Sequence, residues 1–333
     1  MIRILRNNNP LMLILIPVIS GLLLIKAINF NSELPLISGQ SILYESIFSY
    51  FSESFKNMYI YYITSVILIS IQAFLIIRIN NKFNLTNENN FFPAFIFLLL
   101  SVTIIKDFSS LPISIGTIFL LLSIDGLFYS ESSESTVFNY LNSGLLFALA
   151  SLFYSGIGFF FVLVLSNIFL YKNNKFKKFI ASLIGFFIPY FIIFSVQFIF
   201  FNQFPKNIFE QIFAYKSDFG INLNIAIYYL VILIMSLFSI VYLLFKFSAR
   251  KIFVRKSYYF LFLLLIISVP IYMFSKSVGN EIIILQSISF CFIISIFLES
   301  PRLKIFKEVL FAVFLISVIL FQVMSDLKLD LIF

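Results

Sequence analysis

The sequence predicts an all-α fold, a polytopic membrane bundle of about eleven transmembrane helices within a range of ten to twelve. Three observations lead there. The chain of 333 residues is 61% hydrophobic and 11% charged, with a mean hydropathy of +1.05, which leaves too few polar side chains to build a water-facing surface. Apolar stretches near the ~20 residues that a bilayer core requires recur along its whole length. Lys and Arg concentrate in alternate connections between those stretches, as expected when cations are retained on the cytoplasmic side.

The first stretch, 11 to 29, follows the short basic start MIRILRNNNP and lacks a small-residue cleavage site, so it reads as a retained signal anchor. Stretches 58 to 78, 91 to 105 and 111 to 126 come next. Residues 138 to 171 form either one long helix or two short ones, 138 to 153 and 156 to 171, meeting at Tyr154, Ser155 and Gly156. Keeping Arg78 and Lys82 on the same side as Lys172, Lys175, Lys177 and Lys178 takes an even number of crossings, which requires two. The remaining stretches are 178 to 201, 223 to 245, 257 to 275, 281 to 298 and 308 to 325. Pro17, Pro189 and Pro270 fall inside spans, where each removes a backbone donor. With no Trp in the chain, tyrosines are expected to anchor the interfaces: Tyr59, Tyr61 and Tyr62, then Tyr228 and Tyr229, then Tyr258 and Tyr259, cluster at span ends. A single transmembrane domain over 1–333 is expected.

This topology puts sixteen of the 23 Lys and Arg residues, and every Arg, on the inner side. The formal net charge of +8 is therefore a topology signal, and the partner it implies is a lipid bilayer rather than nucleic acid. The amino terminus is expected in the cytoplasm and the carboxyl terminus outside. Nine of the 15 carboxylates, Glu281 among them, fall on the outer side. Asp125, Glu131 and Glu134 form an acidic inner segment without a base, expected as a solvated turn or a contact for a basic partner. The chain holds no His, which excludes histidine-ligated metal centres and a histidine general base. The lone Cys291, in an apolar run, reads as a small buried hydrophobe.

In the first outer connection, SILYESIFSYFSESFKN (41 to 57) sets Tyr44, Phe48, Phe51 and Phe55 on one stripe and Glu45, Ser49, Ser52, Glu53 and Lys56 opposite. Such a segment suits an amphipathic helix lying in the outer interface, or a plain amphipathic connector. The order of elements resembles the amino-terminal module of multi-spanning glycosyltransferases that use polyprenyl-phosphate sugars. It comprises one span, an outer loop with a flat helix, a span ending in a basic turn, an outer turn at KDFSSL, then paired short spans. GLLFALASLFYSGIGFFFVLVLSNIFL, residues 144 to 170, is similar to their fifth and sixth spans. The likeness covers 1–205, with 206–333 as additional transmembrane helices. The whole chain also resembles an uncharacterised family of bacterial multi-pass inner-membrane proteins.

The glycosyltransferase resemblance implies an acid in the first outer loop that activates the acceptor hydroxyl or helps hold a metal. Glu33 or Glu45 would be its counterpart, since the glycine–acid pair often seen there reads Gly39 and Gln40, and an amide takes no proton. Asp107 occupies the place of a second-loop acid, and Lys106, Lys206, Lys216 or Lys276 would neutralise a lipid phosphate. The alternative for each is a charge that simply faces water. No cofactor is evident from the residues, and the resemblance admits a divalent cation. A polyprenyl-phosphate lipid and a membrane-protein partner are the further partners implied. Two other functions stay open at this point: a transporter or flippase, and a structural subunit of an envelope assembly.

Overall fold

The computed structural model describes residues 11–25, 58–86, 90–103, 110–132, 137–170, 175–201, 223–275, 278–300 and 304–324. These residues form eleven α-helices: α1 Leu11–Leu24, α2 Met58–Phe83, α3 Phe92–Val102, α4 Ser110–Ser132, α5 Val137–Phe153, α6 Val162–Leu170, α7 Lys175–Phe201, α8 Leu223–Lys246, α9 Ile252–Phe274, α10 Ile283–Leu298 and α11 Lys304–Met324. The fold is all-α, as the composition and periodicity require, and each helix coincides with one of the apolar stretches. Six segments are long and apolar enough to cross a bilayer, lying in α2, α4, α7, α8, α9 and the stretch Asn280–Leu298 that contains α10. Others are shorter: the 11 residues of α3 rise only about 16 Å at 1.5 Å per residue. The flat helix expected over 41 to 57 lies outside the described residues.

Region 138 to 171 is divided. α5 ends at Phe153, Tyr154 is extended, and Ser155–Phe161 continue as a 3-10 helix that runs into α6. The chain doubles back there, because Phe147 meets Phe161 with ring centroids 6.5 Å apart and the Tyr140 hydroxyl donates to Asn167 Oδ1 at 3.0 Å. A β-carbon on Gly156 would lie 2.6 Å from Val278 Cγ2 and 2.9 Å from Tyr154 Cε1, so the reversal leaves room for glycine only.

Burial sorts the helices into a centre and a rim. Every α10 residue except Phe290 is buried, and α3 is buried over nearly its whole length. α10 packs against α3, α8 and α9, and α4 lies between α2 and α5. α7 sits on the rim, exposing Phe187, Phe191 and Ile199, yet it meets α5 very closely. A β-carbon added at Gly144 would collide with the Ser182 carbonyl, and one at Gly185 with the Leu141 carbonyl. Two glycines facing each other's backbones let these helices approach to contact, the arrangement small residues permit inside membranes.

All twelve described Lys and Arg residues occur at or within two turns of helix ends on one side of the bundle: Arg78, Lys82, Lys175, Lys177, Lys178, Lys246, Arg250, Lys251, Arg255, Lys256, Lys304 and Lys307. Contacts join these ends to one another. Phe253 of α9 meets Phe83 of α2 and Phe128 of α4, Lys178 lies over the Tyr140 ring, and Lys307 of α11 lies over the Phe297 ring of α10. This side is the basic end of the bundle.

The tyrosines correct one expectation. Tyr59 and Tyr259 are exposed, as anchors would be, but Tyr61, Tyr62 and Tyr258 tie helices together. Tyr61 pairs with the Ser110 hydroxyl at 3.3 Å, Tyr62 donates to the Gly21 carbonyl at 2.6 Å, and fully buried Tyr258 donates to the Leu85 carbonyl at 3.1 Å. A buried phenol needs an acceptor, and free carbonyls near helix ends provide one. Cys291 is fully buried, its thiol donating to the Ile288 carbonyl at 3.0 Å.

Candidate functional site

At the basic end, α2 stops at Phe83 because Asn84 takes the left-handed conformation, with φ 49°, that closes many helices. The chain that follows is stitched by side chains. Asn80 Oδ1 accepts from the Thr86 backbone amide at 3.2 Å and hydroxyl at 3.1 Å, and Asn80 Nδ2 donates to the Asn90 carbonyl at 3.3 Å. Asn90 Nδ2 then reaches across the bundle to Glu299 Oε1 at 2.8 Å, just beyond α10. Asn80, Asn90 and Glu299 are all buried, so each bond replaces water that the interior does not supply.

Beside this network, Asp125 of α4 is nearly buried and takes Lys82 at 2.8 Å and Arg78 at 3.1 Å, both from α2. The expected solvated acidic turn is corrected at Asp125: α4 runs on to Ser132, and Asp125 pairs with bases of its own chain at the edge of the bundle. Arg78 and Lys82, four apart at the end of α2, share a helix face, and α4 runs parallel to α2 with a carboxylate at the matching depth. That pairing was readable in principle from the local breach of the positive-inside pattern around Asp125.

The opposite end carries a different arrangement. Tyr154, at the reversal between α5 and the 3-10 helix, is fully buried, and its hydroxyl has no hydrogen-bond partner among the described residues. Glu281 lies within electrostatic reach of that hydroxyl, as does the Gly279 backbone amide. Its carboxylate folds back over Gly279, where a β-carbon would strike Oε2. Glu281 Oε2 is itself enclosed and without a partner among the described residues. Next to it, the Tyr272 hydroxyl donates to Asn280 Oδ1 at 2.9 Å, fixing the turn that presents the carboxylate. The result is a carboxylate oxygen and a phenol, both withdrawn from water and neither with a well-formed hydrogen bond among the described residues, at one mouth of the bundle, where the Gly279 backbone comes near enough to act on the phenol. Such a pair can accept a proton from, or orient, a hydroxyl brought between them.

The acids singled out in the sequence, Glu33, Glu45 and Asp107, lie outside the described residues, as do Lys106, Lys206, Lys216 and Lys276. By chain position Lys276 comes five residues before Glu281, and Asp107 three before Ser110, which opens α4. Among the described residues no group of three or more Cys, Asp or Glu side chains is placed to hold a metal ion. Sequence reasoning named Glu281 only as one outer acid of several, since nothing local distinguishes a carboxylate that turns inward from one that faces water.

No curated protein matches this chain, and no solved structure does. A family profile matches residues 34–329, nearly the whole sequence. The chain belongs to that family, described as a family of unknown function (DUF6427).

Proposed function

We propose that this is a multi-pass protein of a bacterial inner membrane, a single domain whose basic end lies in the cytoplasm, with the amino terminus inside and the carboxyl terminus in the periplasm. Its opposite face handles a lipid-linked substrate such as a polyprenyl-phosphate sugar. On this reading residues 1–205 form a glycosyltransferase-like module and 206–333 add further spans. The observation that carries the proposal is the enclosed Tyr154 hydroxyl beside the enclosed Oε2 of Glu281, at the mouth opposite the basic end. A half-buried carboxylate with one enclosed oxygen, beside a phenol hydroxyl, suits activation of an acceptor hydroxyl at a membrane surface. Glu33, Glu45 and Asp107 remain the acids that the glycosyltransferase likeness designates on the same face.

The test substitutes Glu33, Glu45, Asp107 and Glu281 singly with the corresponding amide and follows sugar transfer and lipid-linked sugar turnover in membranes. At least one variant is expected to lose turnover by ~100-fold or more, the usual contribution of a general base. Unchanged turnover in all four removes the catalytic reading.

One observation favours a second reading, a transporter or flippase. The passage Ser155–Leu170 is broken into a seven-residue 3-10 helix and a nine-residue α-helix, and interrupted helices are how transporters expose backbone to cargo. Uptake of a substrate into proteoliposomes that depends on this protein would favour that reading over enzymology.

A further inference from the structure

At the basic end, α8, α10 and α11 converge on the Tyr242 ring. Lys246 Nζ lies 5.2 Å from its centroid and Lys307 Nζ 5.6 Å, while Phe297 of α10 packs edge-on at 5.8 Å. Two ammonium groups therefore share one aromatic ring. Lys307 is buried and donates to the Ser300 carbonyl at 2.7 Å and to the Ser300 hydroxyl, so it is held in place. Lys246, by contrast, is exposed. Among the described residues neither ammonium lies within ion-pair distance of a carboxylate: Asp125 is taken by α2, Glu299 Oε1 accepts from Asn90, and Glu308 points to solvent. The Tyr242 hydroxyl is enclosed and has no hydrogen-bond partner among the described residues.

Two cations without a counter-ion and a phenol without an acceptor among the described residues lack the same thing, a compact anion with several oxygens. Lys307 stands at the head of α11, before the apolar run that starts at residue 308. Burial, and after it the Lys246 charge, lower its pKa to about 8. An anion at this point would relieve that repulsion and accept from the hydroxyl together.

The surroundings say where the anion comes from. Val241, Leu244 and Phe245 of α8 and Ile305 and Val309 of α11 are exposed on either side of a contact between Phe238 and Phe306 at 5.5 Å, so the junction of the two helices beside the cations is an apolar seam. A soluble phosphate would leave this seam bare, whereas a phospholipid would cover it with acyl chains while its headgroup reached the lysines.

We propose that Tyr242, Lys246 and Lys307 form a binding site for the phosphate of an anionic phospholipid, whose chains lie in the seam between α8 and α11. Lys246, the exposed cation, turns from the ring toward the phosphate, and the Tyr242 hydroxyl donates to a phosphate oxygen. Lys307 stays in place and supplies the second charge.

The experiment uses the full-length protein in mild detergent and measures binding of phosphatidylglycerol, phosphatidylcholine and inorganic phosphate by native mass spectrometry and by the shift in thermal unfolding. Phosphatidylglycerol is expected to be retained and to raise the unfolding temperature, with no comparable effect of phosphatidylcholine or of free phosphate. Lys246→Gln should weaken phosphatidylglycerol about fivefold, the effect of one cation near an anionic headgroup. Tyr242→Phe, which removes one oxygen, should weaken it severalfold while leaving the fold intact. Lys251→Gln, at an exposed basic position outside the seam, should leave affinity unchanged. An equal loss in Lys251→Gln would reduce the site to a diffuse basic surface and overturn the proposal. Equal retention of phosphatidylcholine, or competition by millimolar inorganic phosphate, would do the same.

Discussion

At the basic end the Asn90 amide donates to Glu299 and the Asp125 carboxylate takes Lys82 and Arg78, whereas at the opposite end the Tyr154 hydroxyl and one Glu281 oxygen meet no partner among the described residues. The same kinds of group are used in both places, and both are enclosed. What differs between these two clusters is satisfaction, although the basic end also holds unbonded atoms of its own in the Tyr242 hydroxyl and Asn81 Oδ1. A bonded polar group inside a bundle fixes which helices sit together, while an unbonded one weakens the fold and is the expected mark of a place prepared for something else. On that view the Asn90–Glu299 and Asp125 clusters are a clasp and the Tyr154–Glu281 mouth a site, and the two should answer substitution in opposite ways.

The sharpest way to break the comparison is Glu299→Ala. It leaves the buried Asn90 amide without its acceptor and should lower stability by about 2 kcal/mol, the cost of stranding one such group. Thermal or denaturant unfolding in mixed micelles measures this, and a neutral result would mean that the Asn90–Glu299 bond does not hold α3 to α10. Tyr258→Phe comes next: losing the bond to the Leu85 carbonyl should cost about 1 kcal/mol by the same assay. The Asp125 cluster should give less. Arg78 is 60% exposed and Lys82 32%, so solvent screens both pairs, and a double-mutant cycle of Lys82→Met with Asp125→Leu should show coupling of about 0.5 kcal/mol that shrinks with added salt. Tyr154→Phe is expected to have the smallest effect on stability and the opposite tendency. Deleting a hydroxyl without a well-formed bond among the described residues should change stability by less than about 0.5 kcal/mol, or increase it, while any turnover at this mouth falls. A loss above 1 kcal/mol there would show that the hydroxyl is a structural bond after all.

Much of the helical layout was legible because helices in an apolar medium are written in a single variable, the length of an apolar run. The break at Tyr154 followed from charge bookkeeping across crossings, and the structure places the α5 end one residue before it. Side-chain partnerships were not legible. Asn90 and Glu299 are 209 residues apart, and neither stands out from other polar residues near a helix end. Tyr258 and Tyr259 are adjacent and looked alike as anchors, yet one is buried and the other exposed, because helix rotation about its axis separates neighbours by about 100°. Gly144 and Gly185 gave no sign of facing each other, since a close crossing depends on both helices at once.

The sequence by itself determined that this protein is helical, that it is built for a bilayer, and where its helices lie, because apolar length and cation placement are local quantities that a medium without water enforces one segment at a time. Tertiary structure alone decided which helices are central, which carboxylates are bonded and which hydroxyls are left waiting. Those outcomes depend on the rotation and neighbours of every helix together, and burial turns an otherwise ordinary Glu281 or Tyr242 into a group whose missing partner has meaning.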